Sequence, residues 1–161
     1  MNNSHFMASG KFTDEFIAIL TRHYEEDTSF NHTMGLKLHA FEPELVTARI
    51  PMRQELVGHR PSHRLHGGAI SASMDVTGGF AIMAAMTARH PDDTLAQLMA
   101  RFGKISTISL HVDYLSVGIS DHFFVTAQVL RLGSRVATTR MDFLGADRKL
   151  LATGSGAYMV A

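Results

Sequence analysis

The chain reads as an α+β protein, one antiparallel β-sheet curled around a single long buried helix, with another helix ahead of it. Three observations predict this. Residues 69–88 are mostly Ala, Ile, Met, Phe and Gly, enough for about five helical turns that are apolar nearly all round. Four β-rich runs follow in succession, divided by turn residues, and two shorter runs precede the helix. Strands joined by short turns pair antiparallel, and a sheet with one apolar face needs a covering layer, which a single apolar helix supplies.

Taken in order, Thr13 is an N-cap residue followed by the acids Asp14 and Glu15, which suit the positive end of a helix. Phe16, Ile17, Leu20 and Tyr24 then make the segment to about Asp27 amphipathic. Residues 1–12 are expected as a loosely ordered tail. Met34 to Phe41 and Leu45 to Met52 read as short strands, with Glu42-Pro43-Glu44 supplying the turn. Residues 53–65, containing Gly58 and Pro61, form a loop that delivers the chain to His66. Pro91-Asp92-Asp93 ends the long helix, and residues 94–102 give one or two helical turns as a lid or connector. The period then changes to two over Lys104 to Leu115, His122 to Leu132, Arg135 to Leu144 and Leu150 to Val160. Turns lie at residues 117–121, at Gly133-Ser134 and at residues 145–147, so meander connections are expected.

Composition narrows the function. At 161 residues a single domain over 1–161 is expected. Fifteen basic residues balance fifteen acidic ones without a run of like charge, so nucleic acid is not an expected partner. The absence of cysteine excludes disulfides, thiolate metal sites and cysteine nucleophiles. Residues 1–6 lack a basic segment leading into an apolar block, so the expected compartment is the cytoplasm. Residues 69–88 are long enough to span a bilayer, but Ser71, Ser73, Asp75, Thr77 and Gly78-Gly79 interrupt them. That pattern predicts a core helix without membrane insertion.

The chemistry is expected where the long helix begins. The first N–H groups of a helix have no internal partner and carry partial positive charge. Gly67 and Gly68 lack a Cβ, so a polarised carbonyl can approach them closely. Asp75 is a carboxylate inside an otherwise apolar helix, costly to bury without a partner or a task. It lies seven residues past Gly68 on almost the same face, about 10 Å along the axis, too far to share one small substrate group. If Asp75 and Gly67 serve one reaction, they come from two antiparallel copies of the helix across a two-fold axis, which makes the chain an obligate dimer.

The run His66-Gly67-Gly68 followed by Asp75, with Val112-Asp113-Tyr114-Leu115 later, resembles the PaaI-like hotdog-fold thioesterases, most of all the YigI-like acyl-CoA thioesterases. The similarity runs from about Phe30 to Met159 and includes the insert around residues 89–103. It implies a hotdog fold and hydrolysis of acyl-CoA to free acid and CoA, with no cofactor beyond the CoA of the substrate. It also implies Asp75 as general base or nucleophile, Gly67 as the main oxyanion donor from the other subunit, and His66 as the residue that shapes the turn. Thr107 falls where relatives often carry a Ser or Thr that helps hold the attacking water. Gly68, Met74, Gly79 and Met83 are the expected substrate contacts, and the homodimer could pair further into a dimer of dimers. Two departures stand out. His59 occupies the place usually given to Asn, and Ser116-Val117 follow Tyr114-Leu115 where relatives often have Arg-Pro.

His59, His63 and His66 share one loop without a carboxylate, so no metal site is expected. Arg101, Lys104, Arg131, Arg135 and Arg140 fall near strand ends, where they could meet CoA phosphates. Two other readings use the same groove. One is an acyl-CoA binder without turnover, for which a buried base has no use, and the other is a hotdog enoyl-thioester hydratase or dehydratase, which needs a His–acid pair at the helix.

Overall fold

The computed structural model describes residues 6–8 and 10–161. Two short strands, β1 (Met7–Ala8) and β2 (Lys11–Phe12), lead to α1 (Asp14–Arg22), whose last turn widens into a π-helical segment over His23–Asp27. Then follow α2 (Ser29–Met34), β3 (Lys37–Phe41), β4 (Val46–Pro51), β5 (Val57–His59) and β6 (Arg64–Leu65). The long helix α3 spans Gly67–Arg89 and α4 spans Leu95–Phe102. The chain finishes with β7 (Ser106–Tyr114), β8 (His122–Leu132), β9 (Val136–Gly145) and β10 (Leu150–Met159).

Six strands form one antiparallel sheet in the order β3-β4-β8-β9-β10-β7, and α3 lies along its concave face. This is the expected architecture with one correction. The four late strands do not form a simple meander, because β4 takes one edge of β8 and β9 the other, which leaves β7 the open edge of β10. The first hairpin therefore takes the edge of β8 that a meander would have given to β7. A second correction concerns Met34, which ends α2 rather than starting a strand; Gly35 follows at φ 71, a left-handed helix stop that glycine adopts without penalty. The segment expected as a loose tail is a third. Residues 1–5 and 9 lie outside the described residues, but β1 pairs with β2, and Phe6 and Phe12 are buried against Phe16 and Phe41.

Helix α3 passes by length and composition for a membrane span, yet 61% of that window is buried, most of it against the sheet. Ile70, Met74, Ile82 and Ala84 are fully or nearly fully covered, and each of the larger ones contributes about 1.5–3 kcal/mol by leaving water. Its buried hydroxyls turn back onto the helix: Ser73 donates to the Ile70 carbonyl and Thr77 to that of Ser73, while Thr77 and the Tyr24 hydroxyl share a bond of 3.2 Å. Small residues bring helix and sheet close. A Cβ on Gly78 would collide with the Tyr158 hydroxyl and fall 2.8 Å from the Met141 sulfur, and one on Gly154 would meet the Met74 methyl. Gly79 has nothing within 4 Å, so it faces outward.

Gly78→Ala is therefore expected to destabilise the fold by roughly 1–3 kcal/mol despite the better helix propensity of Ala. A lowered thermal unfolding midpoint by circular dichroism checks this, and an unchanged or raised midpoint would contradict the packing at Gly78.

Candidate functional site

At the start of α3 the chain leaves β6 in extended conformation, and His66 becomes the N-cap. Its Nδ1 accepts the Gly68 N–H at 2.8 Å, and its carbonyl accepts Ala69 N–H and Ile70 N–H. Of the first four N–H groups of α3, from Gly67 to Ile70, three are thus engaged. The N–H of Gly67 has no acceptor among the described residues and is the free donor of the turn. Because Nδ1 accepts, the neutral imidazole carries its proton on Nε2.

Tyr114, at the end of β7, lies over this turn. Its hydroxyl donates to the Gly67 carbonyl at 3.1 Å, and its ring stands where a Gly67 Cβ would come within 3.3 Å. The peptide joining Gly67 and Gly68 is therefore held at both ends, its carbonyl by Tyr114 and its N–H by His66. Tyr114 was legible in the sequence only as part of Val112-Asp113-Tyr114-Leu115; its hold on the turn needs β7 and α3 to be side by side. His59 reaches the same region on β5, with Nδ1 2.7 Å from Ser62 Oγ. His59, His66, Gly67 and Tyr114 line one open cavity of about 270 Å³, which is shared with Arg64 and Ser116.

Asp75 sits elsewhere, eight residues further along α3 than Gly67, or about 12 Å of axis. It is half-buried at the edge of the core, with its side chain toward β7. Thr107 donates its hydroxyl to Asp75 Oδ1 at 2.9 Å, and Tyr158 donates to the Asp75 carbonyl at 3.2 Å. Thr107 and Tyr158 are cross-strand partners next to a β-bulge in the β7–β10 pairing, a device that re-aims a side chain. Burial pushes the Tyr158 phenol well above its ordinary range, and the nearby Asp75 charge pushes it further.

The structure thus brings Thr107 to Asp75, and it brings His59 and His66 to Gly67, but within one chain it keeps these two groups apart. Gly79 and Met83 continue the half-exposed face of α3 beyond Asp75. Gly68 is exposed beside His66, with its N–H committed. Met74 is fully buried in the single chain, its methyl against Gly154 of the sheet. Its place one residue before Asp75 turns it about 100° away from that outer face. Among the described residues, no group of three or more His, Asp or Glu side chains is arranged to hold a metal ion.

The family model of the thioesterase superfamily matches residues 63–152, which include α3, β7, β8 and β9. The medium/long-chain acyl-CoA thioesterase YigI of Escherichia coli (strain K12) is 30% identical over 131 residues, covering 81% of this chain and 84% of the relative. A Shewanella oneidensis crystal structure described as related to the thioesterase superfamily superposes with a TM-score of 0.86 at 31% identity, covering 91% of this chain and 96% of that one. The zebra fish thioesterase superfamily member 2, at 18% identity, shares the fold with a TM-score of 0.72 over 93% of this chain and 99% of its own.

Tyr24 and Tyr158 are both held above the ordinary tyrosine range, mainly by burial. With folded values raised, the stability tied to the neutral phenols is fully present below the unfolded value of about 10 and is lost as pH climbs beyond it. Unfolding midpoints measured from neutral to strongly alkaline pH should fall in that upper range, and Tyr158→Phe should flatten the fall. An equally steep decline in the variant would show that Tyr158 is not its source.

Proposed function

The chain belongs to the thioesterase superfamily and is a thioester hydrolase; from that premise we propose that it cleaves acyl-CoA carrying medium-chain, long-chain or aromatic acyl groups, at sites shared between the subunits of a homodimer. The observation that carries this reading is the separation of the free Gly67 N–H from the Asp75–Thr107 pair along one helix. The half-exposed stripe at the start of α3, with Ser71, Ala72 and Asp75, includes small side chains that let a second copy of the helix lie close. An antiparallel copy then sets Asp75 of the partner subunit against Gly67.

In this arrangement the thioester carbonyl accepts the Gly67 N–H, and the outward Nε2–H of His66 is a second donor close by. Asp75 of the partner subunit, held by its Thr107 bond, takes a proton from water. The hydroxide adds to the carbonyl carbon, and the charge that develops on oxygen falls on the positive end of α3. Collapse expels CoA as a thiolate, which recovers the proton from the carboxylic acid. In the covalent route the same carboxylate attacks the carbonyl carbon, CoA leaves as thiolate from a mixed anhydride, and water then cleaves the anhydride, so both routes give free acid and CoA. The tie from Tyr114 fixes the peptide next to the donor, so the Gly67 N–H keeps its direction as charge builds up.

Three outcomes are expected. Purified protein releases free thiol from acyl-CoA, and Asp75→Asn loses most of that activity, about a hundredfold or more, while staying folded and dimeric; wild-type turnover in this variant would sink the assignment of the base. Tyr114→Phe lowers kcat by about five- to tenfold with KM little changed, the size of one neutral hydrogen bond; a change confined to KM would remove Tyr114 from positioning the turn. Mixing Asp75→Asn with Gly67→Pro, which removes the donor N–H at a helix position that tolerates proline, under subunit exchange restores about one quarter of wild-type activity, because half the dimers are mixed and each has one intact site. No restoration would mean that both groups act within one chain.

A further inference from the structure

Outside the two half-sites, one concavity concentrates cations. A cavity of about 330 Å³ lies where the C-terminal ends of α3 and α4 meet the β8–β9 turn, lined by Met86, Arg89, His90, Arg101, Lys104 and Ser134 among others. Arg101 is neutralised there by Asp93 at 2.6 Å. Arg89 donates to the Leu132 carbonyl at 2.8 Å, which fixes its guanidinium without cancelling its charge. Lys104 is exposed and has no carboxylate within ion-pair distance among the described residues. Helix C-termini collect cations through their dipoles, but Lys104 lies beyond the end of α4, and Arg89 bonds a carbonyl of β8 rather than of its own helix. Two uncompensated cations, an imidazole and a serine hydroxyl therefore surround one opening, a donor set suited to phosphate oxygens.

The position of the cavity relative to Asp75 matters as much as its charge. Arg89 follows Asp75 by fourteen residues on the same unbroken helix, about 21 Å of axis and only about 40° of rotation. Gly79, which bears no side chain, and Met83 lie between them along the half-exposed face. The pantetheine arm of CoA has the backbone length of about four extended residues, roughly 14 Å, with the nucleotide phosphates beyond it. In an antiparallel pair with Gly67 opposite Asp75 of the partner subunit, the partner's α3 has ended before this part of the face, which leaves it open.

We propose that this cavity is the subsite for the phosphates of the CoA nucleotide, with Arg89 and Lys104 as its cations and Ser134 as a hydroxyl donor. The inference rests on the acyl-CoA reading above and adds where the nucleotide end is held. The test compares an acyl-CoA with the acyl-pantetheine thioester of the same acyl group. Wild-type protein should favour acyl-CoA in kcat/KM by about tenfold or more, an advantage that shrinks as salt screens the cations. Lys104→Glu should close most of that gap, and Lys104→Arg should keep it, which guards against a misfolded variant. Adenosine 3′,5′-bisphosphate should compete with acyl-CoA in wild type and lose about tenfold in Lys104→Glu. A gap that survives Lys104→Glu, or equal wild-type rates on both thioesters, overturns the subsite while the hydrolytic reading stands. If wild type cleaves neither thioester, the acyl-CoA reading itself fails.

Discussion

Where α3 crosses the sheet at Gly78, the Tyr158 hydroxyl and the Met141 sulfur occupy the volume that any side chain would need. This contact sets the rotation of the helix about its own axis, because only one face can come so near. With that face chosen, every third or fourth residue on the opposite side is left half-exposed, and Asp75 falls among them. Gly78 and Gly79 are adjacent in sequence but do opposite work: one admits the sheet, and the other leaves open space beside the candidate site. The half-exposure of Asp75 therefore depends on a packing contact in which it takes no part.

The same rotation explains how a carboxylate is tolerated in so apolar a helix. An ionised group taken fully into the core would cost several kcal/mol without compensation. Asp75 avoids that by lying at the rim, where Thr107 reaches it from the edge strand β7 and water is close. The bulge between β7 and β10 turns Thr107 toward the helix, and its cross-strand partner Tyr158 holds the backbone of the same residue. An irregularity in strand pairing thus becomes the means of orienting one side chain.

At the other end of the site the relevant quantity is which N–H is left over. His66 and its carbonyl consume three of the first four donors of α3, so a turn that looks like two equivalent glycines in sequence has one available donor. Tyr114 completes the arrangement from the end of β7, the strand that also carries Thr107. One edge strand therefore supports both halves of the site, about two helical turns apart. Hydrogen bonds of this kind add little to stability, on the order of 1 kcal/mol each, and their value is in direction.

The sequence by itself determined the long apolar helix, the six principal strands, and the turn at His66-Gly67-Gly68 with Asp75 beyond it. These follow from local patterns: a run too apolar for a surface helix, alternation with period two, glycines at a helix start, and a carboxylate where none is cheap. The rise per residue was enough to separate Gly67 from Asp75. What only the tertiary structure decided was everything that depends on which elements become neighbours. The pairing of β7 with β10 rather than β8 brought Thr107 to Asp75 and Tyr114 to Gly67, and it could not be read from strands that looked like a meander. The rotation of α3 sent Met74 into the core although its neighbour Asp75 faces out. Residues 6–8 and 10–12 gained structure because Phe6 and Phe12 found Phe16 and Phe41. Local chemistry is written along the chain, whereas sheet order and helix rotation are set by the packing of residues far apart in it, as at Gly78 and Tyr158.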